Sequence, residues 1–365
     1  MVRFGFIIHP IDLEDITKRL RFFRFLPGNL TEWIVSRFPA YKASEIRGVR
    51  SPYGETEGWF IICPLTSRLM LELPVEYVTK RIIEAGKIAE RLGAGIVGLG
   101  AMTSVVGDAG ITVAKNLNIA VTSGNSFTVA TALEGTKKAA EFMGIKIEEA
   151  EVAVVGATGS IGSVCARIIA REAGGLTLVA RDKSRLERLS HRILNETGLA
   201  ARVTTDIHDA LRKADVVITV TSAVDTVIKP EDLKPGAVVC DVARPRDVSR
   251  QVAEARPDVL VIEGGVVEVP GDVEFNFNFG FPPKTAYACM AETMILALEG
   301  RCENFSLGRD LTVEQVEEIA RLGKKHGFKL AGFRSFERAL SQEELERIRE
   351  TAEKARRRPT QFSFN

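Results

Sequence analysis

Seven residues constrain this chain more than any others. Gly156-Ala-Thr-Gly159-Ser-Ile-Gly162 follows an apolar run, Val152–Val155, and opens a helical pattern over Ile161–Arg171. Glycines at these spacings permit a tight strand-to-helix turn, close approach of another backbone, and a helix N-terminus left free to hold a pyrophosphate through its N–H groups and dipole. A glycine triplet by itself is also compatible with a plain turn. Its setting between a strand, a helix and a second strand at Leu176–Ala180 points to a dinucleotide site, with Gly156, Thr158, Gly159, Ser160, Ile161 and Gly162 as the cofactor loop.

The surrounding pattern agrees. After Glu151 the sequence alternates strands at Val152–Val155, Leu176–Ala180, Ala201–Thr204, Val216–Thr221, Ala237–Val242 and Val259–Ile262 with helices at Ile161–Arg171, Lys183–Leu194 and Ile207–Lys213. Uninterrupted apolar strands joined by helices predict a doubly wound parallel sheet covered on both faces. Upstream, a strand at Phe4–Ile8, helices at Leu13–Phe23 and Leu30–Phe38, and a hairpin turning at Pro52-Tyr53-Gly54-Glu55 precede a helix at Val75–Leu92 and a strand at Gly95–Leu99. A helix near Ile111–Leu117, a strand at Ile119–Thr122 and a connecting helix at Phe127–Phe142 complete an N-terminal α/β part.

Beyond Gly280 the pattern is almost wholly helical. Pro282-Pro283 sets up a helix to Leu298, and Thr312–Gln315 and Ser341–Glu344 read as capping boxes. The last helix, Ser341–Arg358, is charged nearly all round and reads as a solvated face with a frayed tail. The expected organisation is therefore an N-terminal α/β substrate domain over 1–145, a Rossmann-like nucleotide domain over 146–275, and a helical C-terminal region over 276–365.

Cofactor choice is read at the end of the second strand of the nucleotide domain. An acidic residue there holds a ribose hydroxyl, whereas arginine holds a 2′-phosphate. Arg181-Asp-Lys183-Ser-Arg185 places three cations around one carboxylate, which favours NADPH while Asp182 leaves NAD open. Lys183 and Arg185 also suit an exposed helix start. Thr221 and Ser222 close the fourth strand and are candidate nicotinamide-side contacts. Gly264 ends the last strand in the same way, and a plain turn explains Glu263-Gly264-Gly265 equally.

Five cysteines without a CxxC pair, and four scattered histidines, suggest neither a disulfide framework nor a metal motif. Cys289, in Ala286-Tyr-Ala-Cys-Met-Ala-Glu292, reads either as a small buried filler or as a nucleophile. The helix start would favour a thiolate and the small neighbours would leave room for substrate. Charges nearly cancel, 49 basic against 48 acidic residues, so no whole-protein field draws nucleic acid or an anionic membrane. The apolar stretch before Pro10 is too short for a signal-peptide core or a membrane span, and the expected location is the cytoplasm.

These motifs together carry a resemblance. Glu151–Ser163, Gly264-Gly-Val-Val-Glu268, Tyr287-Ala-Cys-Met-Ala-Glu292, Asn304-Phe-Ser-Leu-Gly-Arg309, Phe4-Gly-Phe6, Thr122-Ser-Gly-Asn-Ser126 and Lys325-His-Gly-Phe328 resemble, in order, the long-chain acyl-[acyl-carrier-protein] reductases best known from cyanobacteria. The likeness runs from about residue 4 to about residue 330. It implies an oxidoreductase that uses NADPH to reduce a fatty acyl thioester to an aldehyde through an acyl intermediate on Cys289, with acyl carrier protein as partner. The nucleotide fold alone also resembles shikimate dehydrogenase and glutamyl-tRNA reductase. A shikimate-type dehydrogenase would need a Lys and an Asp, for which Lys115 and Asp108 can be drafted, and a nucleotide-sensing module would need no cysteine. Tyr287, Ser126 and His326 are further candidates for proton or oxyanion duty in the reductase reading.

Overall fold

The computed structural model describes residues 1–357 apart from 20, 21, 23, 24, 222–227, 244, 245, 279–281 and 337. Strands β1 (Phe4–Ile8), β2 (Tyr41–Ser51), β3 (Gly54–Ile62), β4 (Ile96–Leu99) and β5 (Ala120–Thr122) come first along the chain. They are followed by β6 (Glu151–Val155), β7 (Gly175–Val179), β8 (Arg202–Thr204), β9 (Val216–Thr219), β10 (Val238–Asp241), β11 (Leu260–Glu263) and β12 (Gly271–Glu274). The helices that bear on the argument are α1 (Val75–Arg91), α2 (Asn125–Phe142), α3 (Ser160–Ile169), α4 (Lys183–Thr197), α5 (Ala288–Leu298), α6 (Val313–His326) and α7 (Gln342–Arg357). The fold is mixed α/β.

The chain divides into two compact units, not three consecutive segments. Met1–Phe127 with Val267–Lys329 form one, and Thr128–Val266 with Leu330–Asn365 form the other. The expected helical region at 276–365 is thus split between them. The reason lies in long-range pairing: β12 joins β2 antiparallel, Gly271 opposite Val49, and the Phe305 N–H donates to the Val121 carbonyl, which draws the 267–329 segment back to the first unit.

In the first unit six strands run in the order β12-β2-β3-β1-β4-β5. β1 lies parallel to both β3 and β4, and β4 parallel to β5, so these strands point their C-terminal ends the same way. α1 buries Val78, Ile82, Ala85 and Ala89 at helical spacing and covers the sheet beside Ile7, Ile61 and Val97. Gly5 lets it approach, since a β-carbon there would lie 2.6 Å from the Ala89 methyl.

In the second unit six parallel strands run β11-β10-β9-β6-β7-β8. This is the 3-2-1-4-5-6 order of a dinucleotide-binding sheet. Its central strands are buried throughout because they are apolar on both faces, as in Val238–Cys240. α7 is not merely a solvated face. It buries Leu345 and Ala352, and Arg356 donates to the Met143 and Gly236 carbonyls at 2.9 and 2.6 Å. Short elements replace the expected unbroken helix before Leu298: a strand at Thr285–Tyr287 precedes α5. Among the described residues no helix is long and apolar enough to cross a membrane.

Candidate active site

The glycine loop of the second unit has the form its sequence requires. Gly156 adopts φ +81°, and a β-carbon there would sit 2.6 Å from the Val220 carbonyl oxygen. At Gly162 a β-carbon would come within 2.3 Å of the Gly156 carbonyl oxygen, so the start of α3 rests on the loop backbone. Gly159 is the N-cap of α3 and offers no side chain to the first-turn N–H groups. The Ser160 hydroxyl is buried without a hydrogen-bond partner. An uncapped helix start, a cradle with no β-carbons and an orphaned hydroxyl together fit a pyrophosphate.

Beside this loop, Arg185 donates to the Thr158 carbonyl at 2.8 Å. Asp182 serves as N-cap of α4, accepting from the Arg185 N–H at 3.1 Å and the Ser184 hydroxyl at 2.8 Å. These hydrogen bonds, the Arg185 N–H first, hold its carboxyl below the usual aspartate value. Its carboxylate is therefore engaged by its own helix. Arg181 and Lys183 are exposed. The Thr221 N–H donates to buried Asp247 at 2.9 Å, and the Thr221 hydroxyl bonds the same carboxylate. Ser222 lies outside the described residues. Gly264 is a packing glycine, with a would-be β-carbon 2.9 Å from Val242 and 3.1 Å from Ala132 and Cys240.

In the first unit, Cys289 is the second residue of α5, and Tyr287 is the N-cap. Gly124 sits directly on it: φ is +74°, and a β-carbon there would lie 2.3 Å from both the Cα and Cβ of Cys289. The β5–α2 loop can rest on the helix start only because residue 124 is glycine. Around this contact lies a buried polar cluster. Glu292, one turn along α5, is fully buried and accepts from the Thr122 hydroxyl and from the Phe127 N–H at 2.7 Å. The Ser306 hydroxyl donates to Ser126 Oγ at 2.7 Å, and Ser123 donates to the Ser306 carbonyl.

The backbone N–H groups of Met290, of Cys289 itself and, least, of Ala101 act to lower the Cys289 thiol. Desolvation, with the Glu292 carboxyl adding to it, outweighs these donors and pushes the thiol up to about 12. The helix start alone does not deliver the resting thiolate that the sequence suggested, because burial dominates. Burial likewise raises the Glu292 carboxyl above its ordinary value. Thr122, which holds Glu292, ends β5, and Gly124, which packs on Cys289, follows it, so the cluster sits at the C-terminal end of a parallel strand, where open α/β sheets commonly meet their ligands.

The other candidates separate. Ser126 belongs to the cluster beneath Cys289. His326 does not: it bonds Ser51 at 2.8 Å and Glu299 at 2.6 Å, a buried structural bridge at the end of α6. Asp108 spends its carboxylate on the Thr112 N–H and hydroxyl, at 3.0 and 2.6 Å. Among the described residues no group of three or more His, Cys, Asp or Glu could hold a metal ion. Glu292 was missed as a site residue by sequence reasoning, although it stood inside a quoted motif.

Comparison with known proteins follows the same division. A sequence model of the shikimate / quinate 5-dehydrogenase family matches residues 137–262, within the nucleotide-binding part. The chain is 29% identical over 343 residues to a long-chain acyl-[acyl-carrier-protein] reductase of Synechococcus elongatus, covering 89% of this chain and 98% of that one. It is 33% identical over 340 residues to the aminotransferase PigE of a Serratia strain, covering 90% of this chain but only 39% of PigE. Among solved structures, L-tryptophan dehydrogenase from Nostoc punctiforme aligns over 97% of this chain and 88% of its own at 13% identity and a TM-score of 0.41. Together the sequence matches and the glycine loop support an NAD(P)-dependent oxidoreductase.

Proposed function

We propose that this chain reduces a long-chain fatty acyl thioester, carried on acyl carrier protein or coenzyme A, to the fatty aldehyde with NADPH, in the cytoplasm, through an acyl group on Cys289. The observation that carries this reading is the seat of Cys289: a half-buried thiol at a helix start, pressed under Gly124. The other four cysteines are either buried in the core or, at Cys302, exposed. The likeness to the Synechococcus reductase over nearly its whole length supports the substrate class.

In the first half-reaction the Cys289 sulfur forms a bond to the thioester carbonyl carbon, the bond from that carbon to the carrier sulfur breaks, and the cysteine's proton leaves with the carrier thiol. Splitting the displacement into two steps keeps the acyl carbon fixed to the protein for the second. Gly156–Gly162, Ser160, Arg181 and Lys183 would hold NADPH, with Thr221, Ser222 and Gly264 toward its nicotinamide end, and the bound cofactor supplies a hydride. The reduced acyl carbon then releases the Cys289 sulfur, which takes up a proton as the aldehyde leaves.

Incubation with palmitoyl-CoA in the absence of NADPH should add one acyl mass, removable by hydroxylamine, at Cys289. Cys289→Ala should lose turnover while still binding NADPH, measured by nucleotide fluorescence. Turnover without any adduct, or an adduct on Cys302 instead, would overturn the reading.

A further inference from the structure

The buried polar cluster beside Cys289 is organised around one side chain. Glu292 is fully buried in α5, a helix whose other residues are Ala, Cys, Met, Thr, Ile and Leu, so its carboxyl is costly there unless it is hydrogen-bonded. Its two oxygens reach opposite ends of one turn. Oε1 accepts from the Thr122 hydroxyl at the end of β5, and Oε2 accepts from the Phe127 N–H in the first turn of α2 at 2.7 Å. Between these ends the N–H groups are held less closely: Gly124 donates to Thr122 Oγ1 at 3.2 Å, Asn125 to Ser123 Oγ at 3.4 Å and Ser126 to Ser306 Oγ at 3.4 Å. The Phe127 bond is the shortest of these four, and the Gly124 bond ends on a hydroxyl that Glu292 itself engages. Gly124 is the residue of this turn that lies on the Cα and Cβ of Cys289. Cys289 and Glu292 stand three residues apart on α5, neighbours on one face of the helix.

We propose that Glu292 is a positioning residue: its carboxyl brackets residues 122–127, seats Gly124 against the start of α5 and so fixes where Cys289 stands. That a thiol so placed attacks a thioester rests on the reading of Cys289 as nucleophile, whereas the bracketing of the turn does not. A nucleophile held in place reaches its transition state without first being ordered, and a displacement of about 1 Å can cost about a hundredfold in rate. Alanine at 292 frees both ends of the turn at once. Glutamine keeps a carbonyl oxygen for the Phe127 N–H and turns its amide toward the Thr122 oxygen. Formate is the same carboxyl group without the side chain, and it fits the space that the alanine variant opens.

The test uses the full-length protein, Glu292→Ala and Glu292→Gln. Hydrogen exchange, followed by peptide mass over residues 122–128, reads the turn, with β1 and β4 as the reference for general loosening of the same unit. Acylation of Cys289 by palmitoyl-CoA without NADPH reads the placement of the sulfur. In Glu292→Ala the turn should exchange about tenfold faster and Cys289 should acylate about tenfold more slowly, the loss of two hydrogen bonds, while β1 and β4 exchange as in wild type. Glu292→Gln should lie nearer wild type in both readings. Sodium formate, against sodium chloride at equal concentration, should slow the exchange and restore acylation in Glu292→Ala and leave wild type unchanged. Exchange that rises equally in β1 and β4, acylation at the wild-type rate in Glu292→Ala, or indifference of that variant to formate overturns the proposal. If Glu292→Ala does not fold, Glu292→Asp, too short to span both ends of the turn, takes its place: faster exchange confined to residues 122–128 is expected, and wild-type exchange there overturns the proposal. If palmitoyl-CoA leaves wild type unmodified while exchange responds to residue 292 as expected, the acyl reading fails and the bracket on the turn stands.

Discussion

Gly124 and Cys289 are packed so tightly that no β-carbon fits between them, 2.3 Å being far inside van der Waals contact. Gly124→Ala should therefore fail on two grounds. The left-handed backbone costs a non-glycine residue about 1–3 kcal/mol, and the added methyl must also displace the start of α5. Expected are a lowered melting temperature and loss of acylation at Cys289 even where the protein remains folded. A variant with wild-type acylation would show that the loop can lift without disturbing the nucleophile.

How far the sequence carried differs between the units. β6, β9 and β10 are uninterrupted apolar runs and were legible at once, as was the glycine loop between β6 and α3. β12 was not. Gly271–Glu274 buries only Val273 and joins its sheet through backbone bonds to a strand more than two hundred residues earlier, which no local pattern records. The same kind of pairing, Val121 to Asn304 and Phe305, hid the return of the 267–329 segment to the first unit. At the site, Cys289 was legible as a motif, but the backbone N–H groups that act on its thiol were not. A backbone donor leaves no side-chain signature.

Cofactor preference should follow Arg181 and not Asp182. The Asp182 carboxylate already accepts from Arg185 and Ser184, which leaves the exposed Arg181 guanidinium as the group for a 2′-phosphate. NADPH should outperform NADH, and Arg181→Ala should narrow that gap by about tenfold or more. Asp182→Ala should lower the melting temperature by uncapping α4 while leaving the NADPH to NADH ratio of kcat/KM nearly unchanged. Equal use of both nucleotides by the unmutated protein would return the choice to Asp182.

Glu292 should leave a signature in the pH dependence of stability. Burial raises its folded-state value above that of the unfolded chain, so its contribution is fully present below the unfolded value near 4.5 and is lost as pH rises through the folded one. Melting temperatures of wild type and Glu292→Gln, compared from pH 4.5 to 8, should differ in slope. Wild type should lose stability relative to the variant as pH rises. Against this, the glutamine amide turns a donor toward the Thr122 hydroxyl or the Phe127 N–H, an offset of about 1–3 kcal/mol that is independent of pH. Parallel curves would mean that Glu292 does not change protonation in this range.

Thiol reactivity should rank by exposure and by burial of charge. Cys302 is exposed and should alkylate first, whereas Cys63, Cys165 and Cys240 are buried and should stay inert until unfolding. Cys289 should react between these extremes. Since its thiol is pushed up to about 12, its rate should climb about tenfold per pH unit from pH 7 to 9 without reaching a plateau. A plateau near neutrality would show that a base or a bound ligand ionises it at rest.

The last expectation concerns the carrier. A long acyl chain is delivered on an acidic carrier protein in the proposed reaction, and a chain of net charge +1 can attract such a partner only through a local cluster. Lys18, Arg19, Arg21 and Arg24 form one in the sequence, interleaved with Leu20, Phe22, Phe23 and Phe25. Arg21 and Arg24 lie outside the described residues, but Phe22 and Phe25 are 72% and 86% exposed. The exposure of those two aromatics favours a docking surface. Reversing both arginines to glutamate should raise KM strongly for acyl carrier protein substrates and leave acyl-CoA turnover nearly unchanged. Added salt should weaken the first reaction more than the second, because screening acts on exposed charges. An equal effect on both substrates would place these residues in the service of the fold or of a shared acyl pocket, with the carrier docking elsewhere.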